Sequence, residues 1–344
     1  MSETEALDFD KVLRHIGPLG KWQWFQSFCL FTVATCSGIG AVTFAFTAYE
    51  PNYRCLMPEC NESISNASYK TKEAYEALDK MFLGMSIEET GRQCYRFKGV
   101  DIACGNYLPN EQAKERCPDS ELIFDTSVVL SSAVQDLNIV CDGGYQKTIL
   151  KSCYTLDMLL AAFIIGFISD TYGRRKALVL SIFLLGISGI LKVFTTNKIV
   201  FAILRVLHGI GGHGSIIVAF VLSAEIILLE QKVLFIFITG TGFQVGELIY
   251  AIAAYFLRDW KTLQLATCIP ILCLILLYFV VPESSRWLIS RGRTEEAKQI
   301  LRKRAKFNNV GPIPEHVFQG DLGQKVNGTS IRLSFGQSLI AISR

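Results

Sequence analysis

From Trp22 to Tyr49 the chain runs without a single charged side chain. A helix rises about 1.5 Å per residue, so roughly 20 apolar residues cross the hydrocarbon core of a bilayer. Spans are expected at residues 22–49, 147–169, 177–195, 199–229, 233–257 and 263–281. Several carry one or two charges, which hydrocarbon tolerates only where they face protein or water. Half of the residues are hydrophobic and the mean hydropathy is +0.33, in keeping with an all-α membrane protein. Residues 1–21 are polar and contain no apolar stretch of signal-peptide type, so the first span is expected to be an uncleaved anchor and not a cleaved leader.

The second and third runs are joined by a short charged hinge, Asp170-Thr-Tyr-Gly-Arg-Arg-Lys176, with three cations against one anion. Gly166 and Asp170 precede Gly173, Arg174 and Arg175 in a Gly-xxx-Asp-xx-Gly-Arg-Arg pattern. After the sixth run, Arg286, Arg291, Arg293, Lys298, Arg302, Lys303, Arg304 and Lys306 face only Glu283, Glu295 and Glu296. Short basic loops stay in the cytoplasm, so both segments predict a cytoplasmic hinge, a cytoplasmic N-terminus and cytoplasmic residues 282–344.

The 50–146 segment is then expected outside the cell. It holds sixteen Asp or Glu against nine Lys or Arg. It also holds Cys55, Cys60, Cys94, Cys104, Cys117 and Cys141, an even set in an oxidising compartment, which reads as three disulfides of undetermined connectivity. A zinc site is disfavoured because no His lies between Leu56 and Cys141 and no Cys-x2-Cys pair is present. Two sequons, at Asn61 and Asn66, fall in the same segment and are expected to carry glycan, while Asn327 is expected to stay bare on the other side. The other five cysteines lie in spans and read as packing residues.

Three further motifs narrow the reading. Pro282-Glu-Ser-Ser-Arg-Trp-Leu288 follows the sixth span, Ala254-Tyr-Phe-Leu-Arg-Asp-Trp-Lys261 precedes it, and Asn138-Ile-Val-Cys-Asp142 closes the cysteine-rich segment. In this order, with the hinge, they resemble the organic cation, carnitine and organic anion transporter family (solute carrier family 22) of the major facilitator superfamily over about residues 9–306. The resemblance implies a six-helix N-terminal lobe of a major facilitator fold with a disulfide-bonded extracellular loop domain. It also implies a plasma-membrane setting and a substrate bound between two six-helix halves. After a basic helix over 294–307, with Thr294 expected as its cap, the closing residues 334–344 are too short and polar to span, so a C-terminal six-helix half is expected as a missing partner.

Asp170, Arg174 and Arg175 follow the second span, Glu225 and Lys232 flank the turn after the fourth, and Glu283 and Arg286 follow the sixth. All lie at one mouth. The resemblance implies that they form, with Gly166 and Gly173, an inner gate closed in the outward-facing state; the plainer alternative is a set of orientation signals. Lys232 stands where related sugar carriers have Arg, so a bidentate pairing is not expected there. Within the membrane, Arg205, His208, Gly209 and Gly212 share one helical face. Arg205 either anchors near an interface or lines the pathway. Asp157 and Glu247 are mid-span acids, each on a face with an aromatic, Tyr154 and Tyr250. An acid with an aromatic can hold an organic ammonium, but Asp157 could equally pair with Arg205 or adjust packing.

The chain is therefore expected to move small organic cations or zwitterions, carnitine-like, by alternating access, with the lipid bilayer and a second lobe as partners. Neither cofactor, metal nor nucleic acid is called for, and no nucleophile–base constellation suggests an enzyme. The alternatives are an organic anion carrier lobe and a non-transporting half-carrier that docks on full-length relatives.

Overall fold

A computed structural model describes residues 11–17, 19–56, 69, 94–97, 114–141 and 145–314. Six helices are long and apolar enough to cross a membrane. They are α1 (Lys21–Thr47), α2 (Tyr145–Tyr172), α3 (Arg174–Val193), α4 (Lys198–Glu225), α5 (Lys232–Phe256) and α6 (Trp260–Cys273, continuing through a 3-10 turn to Val280). Two shorter helices follow, α7 (Ser285–Ser290) and α8 (Thr294–Phe307). Lipid offers no partner for backbone N–H or C=O, so helices that bond internally are the form these apolar runs take.

Local chemistry sets the helix ends. Asn197 caps α4 by accepting from the N–H of Ile199 and Val200, and Asp259 caps α6 by accepting from Thr262. The second cap starts α6 at Trp260, three residues before the apolar run. Pro270 cannot donate to the carbonyl of Ala266, and the helix tightens into a 3-10 turn at Leu274–Leu276. The sequence points to Thr294 as the cap of α8, but Thr294 is its first helical residue; Arg293 holds the cap position and pairs with Glu296 instead.

The most enclosed span is α4, which packs against α1, α2, α3 and α5, while α1 also lies along α5 and α3 along α6. Glycines permit this closeness. A side chain at Gly211 would collide with the backbone of Ser181 and Leu185 on α3, and one at Gly38 with the backbone of Phe243 on α5. Leu30, Ile165, Leu178, Ile182, Leu222 and Phe235 form the centre of the membrane core.

Residues 50–146 add a small second core at one end. Strand β1 (Tyr53–Cys55) pairs antiparallel with β4 (Leu122–Phe124), and β2 (Tyr95–Phe97) with β3 (Lys114–Arg116). Disulfides join Cys55 to Cys117 and Cys94 to Cys141, with Cα atoms 6.0 and 5.6 Å apart. Cys60, Cys104, Asn61, Asn66 and Asn327 lie outside the described residues. Burial, then the Glu50 charge, pushes the Tyr53 phenol up to about 12, so it stays neutral and donates to the Val140 carbonyl at 3.3 Å. A one-turn helix, Ala133–Asp136, closed by a Ser132–Gln135 capping box, sets Ile139 and Val140 against Phe201 and Trp260 at the ends of α4 and α6.

At the opposite end, residues 11–16 form a helical turn whose Val12, Leu13 and Ile16 pack on Leu228 and on Leu301 and Ala305 of α8. Asn308 seals the joint. Its Oδ1 accepts from the Trp22 N–H at 2.8 Å and its amide donates to Gln23 and the Ile16 carbonyl at 3.1 Å, while the Arg304 guanidinium stacks 4.0 Å from the Trp22 ring centroid.

Candidate functional site

Gly173 turns the chain from α2 into α3 with φ +110 and ψ 155, a region open in practice only to glycine. The next residue, Arg174, becomes a hub. Its Nη1 donates to Asp170 Oδ1 at 2.7 Å and to the Ser169 carbonyl at 2.9 Å, and its Nη2 lies 3.2 Å from Glu225 Oε1 on α4. The Arg174 and Glu225 side chains are only 13% and 18% exposed, so water screens this pair less than the Asp170 contact, where the acid is 75% exposed.

Glu283 acts on the backbone of α3. Its Oε1 accepts from the N–H of Arg174 at 2.8 Å, of Arg175 at 3.2 Å and of its own neighbour Ser284 at 3.0 Å. A carboxylate at a helix N-terminus meets both orphan donors and the positive end of the helix dipole. Arg175 turns away to lie 3.8 Å from the Tyr278 ring centroid and to donate to the Tyr278 carbonyl. Trp287 Nε1 and Arg291 Nη2 both donate to the Asp170 carbonyl, at 2.8 and 2.5 Å, and cover the C-terminal end of α2. Arg286 is half-buried on α7, and Lys232 makes no ion pair with a described residue. Gly166 faces open space, with nothing within 4 Å of an added side chain.

The second cluster lies inside the membrane. Arg205 Nη1 donates to Asp157 Oδ2 at 2.9 Å, and the side chains are 3% and 0% exposed. Gly209 makes room, since a side chain there would occupy the place of the Asp157 carboxylate. His213 Nδ1 lies 3.1 Å from the Gly209 carbonyl and 3.1 Å from Asp157 Oδ1, and with an acceptor on each hand that nitrogen carries the hydrogen. Tyr154 stands edge-on to His213, its ring 5.3 Å away and 5.9 Å from the Arg205 guanidinium. Arg205, His213, Tyr154, Ser37 on α1 and Phe243 on α5 line a narrow cavity.

The sequence motifs thus meet in two places. Asp170, Gly173, Arg174, Arg175, Glu225 and Glu283 come together at the hinge, but Lys232 does not join them by an ion pair. Asp157 and Arg205 pair with each other. Glu247 is half-buried one turn beyond Phe243, and Tyr250, fully buried, packs on Phe46 with centroids 5.6 Å apart. His213, eight residues and a little over two turns beyond Arg205 on α4, is brought beside Asp157, and that spacing is the signal in the sequence. Sequence reasoning passed over Lys192, buried in the last turn of α3, and Tyr278, neither of which a motif marks.

Six spans wound around a glycine-rich fourth helix, with a hinge whose charges tie the second, third, fourth and sixth spans together, have the architecture of a six-helix major facilitator lobe. Residues 141–319 match the family described as "Sugar (and other) transporter", and the chain belongs to that family of the major facilitator superfamily. Its curated relatives are members of solute carrier family 22. It is 32% identical over 342 residues to organic cation/carnitine transporter 2 of Mus musculus, covering 97% of this chain and 60% of the relative. It is 30% identical to solute carrier family 22 member 4 of Mus musculus, covering 88% of this chain and 55% of that one. It is 29% identical to organic cation transporter protein of Drosophila melanogaster, covering 91% and 55%. The chain spans a little over half the length of these relatives. A crystal structure of a double Trp mutant of XylE shares the fold, with a TM-score of 0.51 and 16% identity over 83% of this chain and 50% of that one. The chain is a multi-pass membrane protein.

Proposed function

We propose that this chain is the N-terminal lobe of a plasma-membrane carrier that moves small organic cations or zwitterions, carnitine-like, by alternating access against a second six-helix lobe. The observation that carries the proposal is the Arg174 hub: one partly buried guanidinium joins α2, α3 and α4 through Asp170 and Glu225, while Glu283 ties the same turn to the end of α6. Exposed ion pairs contribute about 0–1 kcal/mol, but a partly desolvated network that exists in only one of two states biases their populations by a few kcal/mol. In this reading the hinge end is cytoplasmic, residues 50–146 are outside the cell, and the network closes the inner gate. The names of the relatives support the substrate class, and Glu247, a mid-span acid without an ion pair among the described residues, is placed to receive an ammonium.

Joining this chain to the C-terminal half of mouse organic cation/carnitine transporter 2 tests the reading. Saturable uptake of radiolabelled carnitine or choline in cells is the expected result. A fusion that reaches the surface and takes up neither contradicts it.

A further inference from the structure

The spanning helices bury more basic than acidic side chains. Among the described residues, Arg205 and Lys192 are each 2% exposed and Asp157 is the single fully buried acid. Lys192 lies within electrostatic reach of both Arg205 and Asp157. A surplus cation in hydrocarbon is costly, by about 3 kcal/mol or more, and such residues are kept where a charge of opposite sign visits.

The way Arg205 is used says where that charge arrives. Asp157 takes Nη1 alone, and the guanidinium faces lie 5.2 and 5.9 Å from the Phe44 and Tyr154 rings. Nε and Nη2, both buried, have no hydrogen-bond partner among the described residues. These two donors form the side edge of the guanidinium, two parallel N–H groups spaced to meet the two oxygens of a carboxylate. Leaving both buried donors unmet is expensive, and a single water answers only part of that fork. His213, whose Nδ1 is already engaged, and Tyr154 line the same cavity as Arg205.

We propose that the Nε–Nη2 edge of Arg205 is a subsite for the carboxylate of the transported molecule, with Asp157 holding the guanidinium in place through Nη1. Asp157 is then a positioning residue, bound to Arg205 through Oδ2, with Oδ1 3.1 Å from His213 Nδ1. The inference rests on the carrier reading and sharpens it: the substrate is a zwitterion with a carboxylate, preferred over a simple ammonium. A zwitterion would set its carboxylate on α4 and its cationic end towards Glu247 on α5.

Every residue of the subsite belongs to this chain, so the 344-residue protein in lipid nanodiscs suffices for the test. Binding is followed by isothermal calorimetry with carnitine, carnitine methyl ester and choline, in the parent, in Arg205→Lys, which keeps the charge but loses the fork, and in Asp157→Asn. Carnitine is expected to bind at least about tenfold more tightly than its ester or choline, with Arg205→Lys erasing that preference. Asp157→Asn is expected to retain it, since the fork survives. Equal affinities for carnitine and its ester in the parent, an unchanged preference in Arg205→Lys, or no carnitine binding at all overturns the subsite. Uptake by the fused carrier described above decides the carrier reading separately: transport of choline and carnitine without discrimination would leave the carrier standing while the subsite falls.

Discussion

Glu283 reaches from the end of the sixth span to the backbone N–H of Arg174, 2.8 Å away, and so caps the third span with a side chain from 109 residues further along. The hinge is thereby held from two sides, through its backbone by Glu283 and through its side chain by Glu225. Gly173 is the position that makes this possible, because a side chain there would run into the Glu283 carboxylate.

Gly173→Ala should therefore be disproportionately harmful. Its φ of +110 alone imposes about 1–3 kcal/mol on any other residue, and the displaced carboxylate adds the loss of a cap. Thermal melts in detergent should show Gly173→Ala below Glu283→Gln, which keeps an acceptor oxygen. Equal melting temperatures for Gly173→Ala and the parent would contradict the account of this turn.

The Asp157–Arg205 pair should behave as a buried ion pair. Arg205→Gln takes from the buried Asp157 carboxylate its hydrogen-bonded partner and should destabilise the lobe by about 3–5 kcal/mol, whereas Arg205→Gln with Asp157→Asn should recover most of that loss. A double-mutant cycle of denaturant unfolding measures the coupling. Additive losses would show that the two side chains do not rely on each other.

Cys55–Cys117 and Cys94–Cys141 close loops with sequence separations of 62 and 47 residues. Replacing either pair with Ser should cost about 2–4 kcal/mol of loop-domain stability. Alkylation without reductant followed by peptide mapping should leave all four thiols unlabelled, and labelling at Cys55 or Cys94 in the native protein would refute the pairing.

The loop domain is also tied to the sixth span by Asp259, which accepts from Ser131 and from Thr262. Burial raises its pKa, but the hydrogen bonds from Ser131 and Thr262 and the Lys261 charge outweigh this and hold it below the ordinary carboxylate value of 3.8. A depressed carboxylate contributes stability that is fully present above its unfolded value and is lost as pH falls through the folded one. Hydrogen exchange at residues 130–132 should be flat from neutral pH to about 4, after correction for the intrinsic rate, and rise below that. Asp259→Asn should remove this acid-induced rise.

The orientation is tested by glycan. If residues 50–146 are outside the cell, glycosidase should speed the gel mobility of protein expressed in animal cells, and Asn61→Gln with Asn66→Gln should abolish the change. Glycan on Asn327 would invert the topology.

Much of this was legible in the sequence, for identifiable reasons. Spans announce themselves because hydrocarbon forbids charge, and the hinge because Gly173, Arg174 and Arg175 sit at fixed spacing from Asp170. Pairing across helices was less legible. The sequence allowed Asp157 either a substrate or Arg205 as its partner, and only the juxtaposition of α2 and α4 over Gly209 chooses. Glu283 read as a side-chain partner for cations, because a long-range helix cap has no local pattern. The four strands of the loop domain escaped notice, since three residues are too few for alternation to register, although the Ser132–Gln135 capping box was there to be read.

Gating of the inner mouth is the central claim, and Gly166 gives the most direct access to it. A side chain at this position meets nothing within 4 Å in the lobe, so Gly166→Cys should be tolerated and should report whether the opposing lobe covers it. The measurement is the rate of alkylation of Gly166→Cys from the cytoplasmic side, in the fused carrier with its exposed Cys273 replaced by Ser. Arg174→Ala should raise that rate about tenfold, since removing about 1.4 kcal/mol from the closed state shifts the two populations by that factor. An alkylation rate that Arg174→Ala leaves unchanged would contradict the gate.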